Sequence, residues 1–413
     1  MSNIADSLRT YLHSSHLRLI ERTSAVCSSR SEKIYLAGGV VRDVLLGTTP
    51  NNLDIVVVHP QYEFVDHLAR GIGGEVVSRS QFDTFKIIVS SDEIDVATAR
   101  REEYIRPGAL PTVEETSIEE DLSRRDFSVN SMAVSLNQDS WGELLDPHGG
   151  EGDLKQKLLR VLHERSFIDD PTRILRAIRY AVRLNFHIHS ETYRLFKRDM
   201  VYLQDISGDR IRHELERTMT EPFAWNVLLR GEEEGVLSAI HSGLKFGRIH
   251  NAVNTSNEQR VEGDDVVLAA LIYFSSDVQM DDLAIRLKMG TRWSRVVREV
   301  RLIKSASERL RAPDLSRSEL FTLLCDLHPE VIHGCAITTQ DTAVKSSLYF
   351  YLNDLRCIRP SIDGDDLLAL GVPEGPQVGE LLDRLLHDRL EGLLSSRADE
   401  EALVVNKLKG CLG

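Results

Sequence analysis

The chain has 413 residues, 42% hydrophobic and 28% charged, with a formal net charge of −14. That length suits about two to four packed units, and no stretch approaches the roughly 20 uninterrupted apolar residues of a membrane helix, so no membrane association is expected. The acidic balance argues against a protein that coats nucleic acid generically, although a basic footprint can be local.

The N-terminus, MSNIADSLRT, sets acidic and polar residues ahead of any apolar run and does not read as a secretory signal. Residues 1–33 open with a helical pattern that ends in a polar, Ser-rich stretch. From Lys33 to about Asn137 the texture changes to short β-rich runs: KIYLAGG, LDIVVVH, GEVVSRS, FKIIVSS, EIDVATA and SVNSMAVSL. They alternate with helical segments such as VRDVLLG and QYEFVDHLARGI, an α/β signature. After Asp146 strands are expected to stop, leaving successive amphipathic helices with short connections. Boundaries are read at the Gly-rich 146–153, at the turn-rich 246–265, and at Pro360 with Gly364. The expected layout is an α/β head over 1–145, built on a mixed sheet of about five strands plus helices. All-α segments follow: a neck over 146–220, a body over 221–355 and a tail over 356–413. Five scattered cysteines (Cys27, Cys325, Cys335, Cys357 and Cys411) form no CxxC pair, which points to reduced thiols in a cytoplasmic protein.

Three features of the head carry chemistry. At Leu36–Asp43 a strand runs into paired glycines, Gly38 and Gly39, and then into a helix bearing Arg42. Such a turn lets backbone N–H groups approach an anion, and a guanidinium one turn in can reach a phosphate. On the next strand Asn52 and Asp54 alternate onto one face. Two carboxylates so placed hold a pair of magnesium ions for in-line phosphoryl attack, but only Asp54 is a carboxylate here. The third feature is Asp95, an acid on the apolar run EIDVATA. Two basic stretches stand out from the acidic background. One is Arg173, Arg176, Arg179 and Arg183; the other is Arg286, Lys288, Arg292, Arg295, Arg298, Arg301 and Lys304. Both are depleted in acids, which favours local anion binding.

In this order and spacing the segments resemble the polymerase-beta-like nucleotidyltransferases, in the branch of class II tRNA nucleotidyltransferases and bacterial poly(A) polymerases. The matching residues are Gly38, Gly39, Arg42 and Asp43, then Asp54 and Asp95, then an ArgArgGluGluTyr loop spanning 100–108. Arg124, Arg125, Asp126, Phe127, Asn130, Met132 and Ala133 complete the head. Asp146, Gly149, Gly150 and Asp153 look like the hinge to the neck. Asp169–Arg176 looks like the base-reading segment, and Ser207, Arg210, Glu214 and Leu215 like the helix that braces it. The 364–379 stretch is similar to the tail of CCA-adding enzymes.

The resemblance implies transfer of CMP and AMP from CTP and ATP to the 3′ end of tRNA. Asp54 and Asp95 would hold Mg2+, with Asn52 as an imperfect third ligand. Gly38, Gly39 and Arg42 would seat the triphosphate, and Arg125 and Asn130 would support sugar and phosphate. Asp170 and Arg173, three apart beside Pro171, would offer acceptor and donors to a base edge, with Arg176 and Arg179 orienting them. The basic 286–304 stretch would meet tRNA phosphates, while Trp293 reads as a packing residue. The family has aspartate where this chain has Asn52, whose amide brings no negative charge. Related outcomes stay open: an A-adding, CC-adding or poly(A) enzyme, or a silent tRNA-binding paralogue, as monomer or homodimer.

Overall fold

The run Leu53–Val58 forms the centre of the head because both of its faces are covered. Leu53, Ile55 and Val57 are at most 1% exposed, and Val56 on the other face is 3% exposed. The computed structural model describes residues 2–29, 32–60, 63–80, 84–246 and 263–410. Most of the expected 246–265 boundary, and Cys411, lie outside them. The chain divides into two compact units, Met1–Glu214 and Leu215–Gly413.

The first unit begins with α1 (Ala5–Tyr11), α2 (Ser14–Ser28), β1 (Lys33–Ala37), α3 (Gly39–Leu45), β2 (Leu53–Val58) and α4 (Phe64–Ile72). Next come β3 (Glu75–Arg79), β4 (Thr84–Val89), β5 (Asp92–Thr98), β6 (Arg100–Glu103), β7 (Thr112–Glu115) and α5 (Ile118–Ser123). Then follow β8 (Ala133–Ser135), β9 (Leu144–Leu145), α6 (Gly150–Gln156), β10 (Leu158–Leu159), α7 (Ser166–Asp169) and α8 (Thr172–Arg183). β11 (His187–Ile188), α9 (Ser190–Asp199) and α10 (Gly208–Met219) complete it, the unit division falling within α10.

The sheet is mixed, as expected, but has seven strands rather than about five, in the order β3-β4-β5-β2-β1-β8-β9. Its parallel pair is β2 with β5; β1–β2, β1–β8, β3–β4, β4–β5 and β8–β9 are antiparallel. Ala37, Val56, Ala99, Ile118, Leu122 and Ala133 close one face of the sheet beneath α5. The exposed edge strand β3 carries a register shift between Val76 and Ser78, a common way of blunting an edge.

Three local expectations are corrected. The 100–108 loop begins as strand β6, which pairs with β7. Its four residues have no apolar alternation; Arg101 opposite Glu114 supplies a cross-strand ion pair instead. Ser128–Asn130 is a 3-10 turn, so strand β8 starts only at Ala133. Strands also do not stop at Asp146, because β10 and β11 form a two-residue parallel pair, too short for any periodicity to show.

The described part of the second unit is helical. Its most enclosed helix, Asp264–Ile272, has every residue from Val266 to Ile272 at most 1% exposed. A Cβ on Gly334 would stand 2.5 Å from the Val266 carbonyl, so the helix Pro329–Thr338 approaches backbone to backbone. Near the chain end, Ile362, Leu367, Val372, Leu381, Leu385 and Val404 form a cluster of their own.

The basic stretch 286–304 is depleted in acids along the sequence but not in space. Arg292 and Arg295 close on buried Asp265, Arg301 on Asp277 and Asp281, and Lys304 donates to the Ser275 carbonyl. Trp293 is 4% exposed, a core residue. Cys27 and Cys335 are buried and Cys325 and Cys357 exposed, all four as free thiols. Among the described residues no single helix is long and apolar enough to cross a membrane.

Candidate active site

Parallel pairing sets Asp54 of β2 directly opposite Asp95 of β5. Partners in register point to the same face, which continues through Val56 and Ala97 toward α5. Both carboxylates are half-buried, and neither has a hydrogen-bond or ion-pair partner among the described residues. Burial, and then the Asp95 charge, push the Asp54 carboxyl above the usual range against the pull of Arg125 and Arg42. Burial also raises Asp95, which Lys86 opposes and Glu93 reinforces. Two crowded, donor-free carboxylates are hard oxygen ligands whose repulsion a divalent cation relieves, so the pair fits a hard metal ion. Asn52 is exposed, one residue ahead of β2.

Beside the acids lies a cationic floor. The chain leaves β1 through Gly38, at φ 79° and ψ −130°, and enters α3 at Gly39. A Cβ at Gly38 would stand 2.5 Å from Nη1 of Arg125, so glycine is required there by conformation and by space. Arg42 is buried: Nη1 donates to Asn130 Oδ1 at 2.7 Å and Nε to Asp43 Oδ1 at 2.8 Å. Arg125 donates through Nη2 to Asp121 Oδ2 at 3.0 Å. Asp121 is fully buried on α5 and also accepts from Arg124 Nη2 at 2.7 Å. Burial raises its carboxyl, but Arg125 and Arg124 outweigh that and hold it below the usual range. The sequence reading missed Asp121; an acid three and four residues before the Arg-Arg pair was the available signal.

A second network stands on α8. Asp126 accepts from Asn130 Nδ2 at 3.0 Å and from Arg176 Nε at 2.9 Å. Burial raises its pKa, yet Arg176 and Asn130 overcome that and hold it at about 2. Arg179 pairs with Glu214 at 3.0 Å. The Tyr180 ring sits among three guanidiniums, Arg42 at 5.5 Å, Arg179 at 5.7 Å and Arg176 at 5.8 Å from its centroid. Tyr180 also went unread, since nothing on its own helix marks it as the junction of α3 with α8.

Asp170 precedes α8 and Arg173 lies in its first turn; the Arg173 N–H donates to the Asp170 carbonyl at 3.0 Å, but their side chains do not bond to each other. Asp170 Oδ1 accepts from the Thr172 N–H at 3.1 Å and from Arg210 Nη2 at 2.7 Å. Arg173 is buried and donates to Ser166 Oγ and to the Arg124 carbonyl, both at 2.6 Å. Each side chain is thus fixed from behind. In the second unit Asp265, His328 and Glu330 converge closely enough to ligate a metal, but the Asp265 carboxylate is already taken by Arg292 and Arg295.

Comparison with known proteins finds relatives along the chain. The Poly A polymerase head domain matches residues 34–160. An A-adding tRNA nucleotidyltransferase of Geobacter sulfurreducens is 34% identical, over 90% of this chain and 45% of that protein. Another, of Halalkalibacterium halodurans, is 30% identical over 96% of this chain and 94% of that protein. A CC-adding tRNA nucleotidyltransferase of Deinococcus radiodurans is 31% identical over 92% and 90%. The chain therefore spans about half of the Geobacter relative and nearly all of the other two. Among solved structures, a CCA-adding enzyme in an apo form superimposes with a TM-score of 0.78 at 27% identity, covering 98% of this chain and 99% of that one. The Thermotoga maritima CCA-adding enzyme complexed with tRNA gives 0.75 at 26%, with the same coverage.

Proposed function

The chain belongs to the family of tRNA nucleotidyltransferases and poly(A) polymerase head domains, and from that premise we propose that it adds CMP and AMP from CTP and ATP to the 3′ end of tRNA. The observation that carries this reading is the unpartnered Asp54–Asp95 pair beside the Arg42 and Arg125 guanidiniums. Asp54 and Asp95 hold magnesium, helped imperfectly by Asn52. When bound, the metal supplies Lewis acidity that lowers the pKa of the RNA 3′-hydroxyl and neutralises triphosphate charge. Gly38 and Gly39 let the backbone approach the phosphates. Arg42 and Arg125 offer guanidinium charge to them, and Asn130, tied to both Arg42 and Asp126, fixes the sugar side. Asp170 and Arg173 present acceptor and donors to the base, with Arg176 and Arg179 holding the neck helix in place. A protein that only bound RNA would have little use for two strained acids beside a base-reading pair. Loss of the carboxylate at Asn52 costs on the order of 10²-fold in rate unless a neighbouring acid compensates for it.

AMP addition alone is the second reading, favoured by the names of the relatives at 34% and 30% identity. One experiment separates the readings. Magnesium and labelled CTP or ATP are supplied with tRNAs ending before the CCA, after C and after CC, and N52D is assayed in parallel. Extension of all three tRNAs supports CCA addition, and extension of the CC-ended tRNA alone supports AMP addition. No extension by either protein rejects the transferase in favour of a silent tRNA-binding protein.

A further inference from the structure

The register that aligns Asp54 with Asp95 also places Leu53 opposite Ile94. Asn52 sits in the bend one residue ahead of β2, and Glu93 lies two residues ahead of Asp95 on β5. Side chains two apart on a strand share a face, and neighbouring strands lie about 4.8 Å apart. Asp54, Asp95 and Glu93 therefore share one face of the sheet, and the uncharged Asn52 lies just ahead of it. Glu93 shares the face of Asp95, and its carboxylate turns toward β4 to meet the ammonium of Lys86. Lys86 itself stands opposite Asp95 on β4.

We propose that Glu93 supplies the carboxylate that Asn52 lacks, completing with Asp54 and Asp95 a three-acid site for a divalent cation. The proposal deepens the transferase reading and rests on it. Three points support it. First, neither Asp54 nor Asp95 has a hydrogen-bond or ion-pair partner among the described residues, so their oxygens are open to a cation. Second, Glu93 stands two residues before Asp95 on β5, so both side chains lie on the same face. Third, the Lys86–Glu93 pair is exposed, at 39% and 45% of the two side chains. Exposed pairs are worth about 0–1 kcal/mol, so the lysine gives way readily to a doubly charged ion. A displaced Lys86 stays at the rim of the site, where its ammonium can meet triphosphate. Glutamate is one methylene longer than aspartate, which suits a ligand reaching from the neighbouring strand.

Mn2+, a spin-active stand-in for magnesium, tests this directly. Free Mn2+ is followed by electron paramagnetic resonance during titration of the wild-type protein, E93Q, N52D and the double variant N52D/E93Q. Circular dichroism confirms that each is folded. The expected result is that E93Q weakens Mn2+ binding roughly tenfold or more, and that adding N52D recovers most of the loss. Nucleotide addition should fall and recover in the same order. An E93Q loss that is absent, or equally large with and without N52D, overturns the proposal. If the wild type binds no Mn2+ while N52D binds it and extends tRNA, Glu93 is not a ligand but the transferase scaffold stands. If neither binds Mn2+ nor extends tRNA, the transferase reading falls as well.

Discussion

Asp54 and Asp95 face each other across parallel strands, and the structure offers neither of them a donor among the described residues. An acid whose folded pKa lies above its unfolded value stabilises the fold below the unfolded pKa and loses that contribution as pH rises through the folded one. Both carboxyls are raised, by burial first and by a neighbouring acid. At neutral pH, without metal, the ionised pair therefore works against folding. Asp54→Asn should raise stability at pH 7 by roughly 1 kcal/mol while abolishing Mn2+ binding and nucleotide addition, the usual conflict between stability and a working site. Urea unfolding at pH 7 and again in mild acid checks the sign: the gain should shrink toward acid, and a loss at pH 7 would reject this account of the pair.

Gly38 is fixed twice over, by its positive φ and by the guanidinium of Arg125 packed where a Cβ would go. Gly38→Ala should therefore cost roughly 1–3 kcal/mol and displace Arg125 from beside Asp54. Gly39 has its nearest outside atom at 3.4 Å, Nη2 of Arg42, and needs no unusual φ. Gly39→Ala should be the milder change in both stability and activity. Thermal melts of the two variants compared side by side decide the matter, and equal losses would mean that the turn does not hold Arg125.

Much of the head was legible because its signals are local. The glycine turn, the alternation that sets Asp54 on a strand face and the Arg-Arg-Asp-Phe run each depend on neighbours in sequence. The pairing of Asp54 with Asp95 depends on register between strands separated by α4, β3 and β4, which no short pattern encodes. The same limit explains the second basic stretch. Residues 286–304 contain few acids, yet Asp265, Asp277 and Asp281 come onto them from other helices. Likewise β6 carries no apolar alternation and is held by charge pairing with β7, so it read as loop. Asp121 and Tyr180 were missed for the converse reason: their sequence signals are slight, and their roles come from what they join.

Asp126 is a buried acid in the opposite state from Asp54. Arg176 and Asn130 hold its pKa at about 2 despite burial. A depressed carboxylate contributes stability that is present above the unfolded value of about 3.9 and is lost as pH falls through the folded one. Asp126→Ala leaves Arg176 without its buried partner and should cost about 3–5 kcal/mol at pH 7. The gap between wild type and variant should be level across neutral pH and narrow between about pH 4 and pH 2. Denaturant midpoints over a pH series measure it; a gap that stays constant into strong acid would show that the ion pair is not its source.

Asp170 is held by three donors, the Thr172 N–H, the Thr172 hydroxyl and the guanidinium of Arg210 on α10. All three go to Oδ1, which leaves Oδ2 as the acceptor proposed to meet a base amino group. Cytosine and adenine carry an amino group at the position where uracil and guanine carry a carbonyl oxygen, so an acceptor set against that position favours the first two and repels the others. Asp170→Ala should therefore erode the preference for CTP and ATP over UTP and GTP, by on the order of tenfold or more, with tRNA affinity little changed. Arg210→Ala should act in the same direction but less strongly, since it frees the carboxylate without removing it. Competition assays with all four triphosphates, run beside a tRNA gel-shift titration, read the two effects separately. If Asp170→Ala weakens tRNA binding as much as it relaxes nucleotide choice, the carboxylate braces the neck and does not read the base.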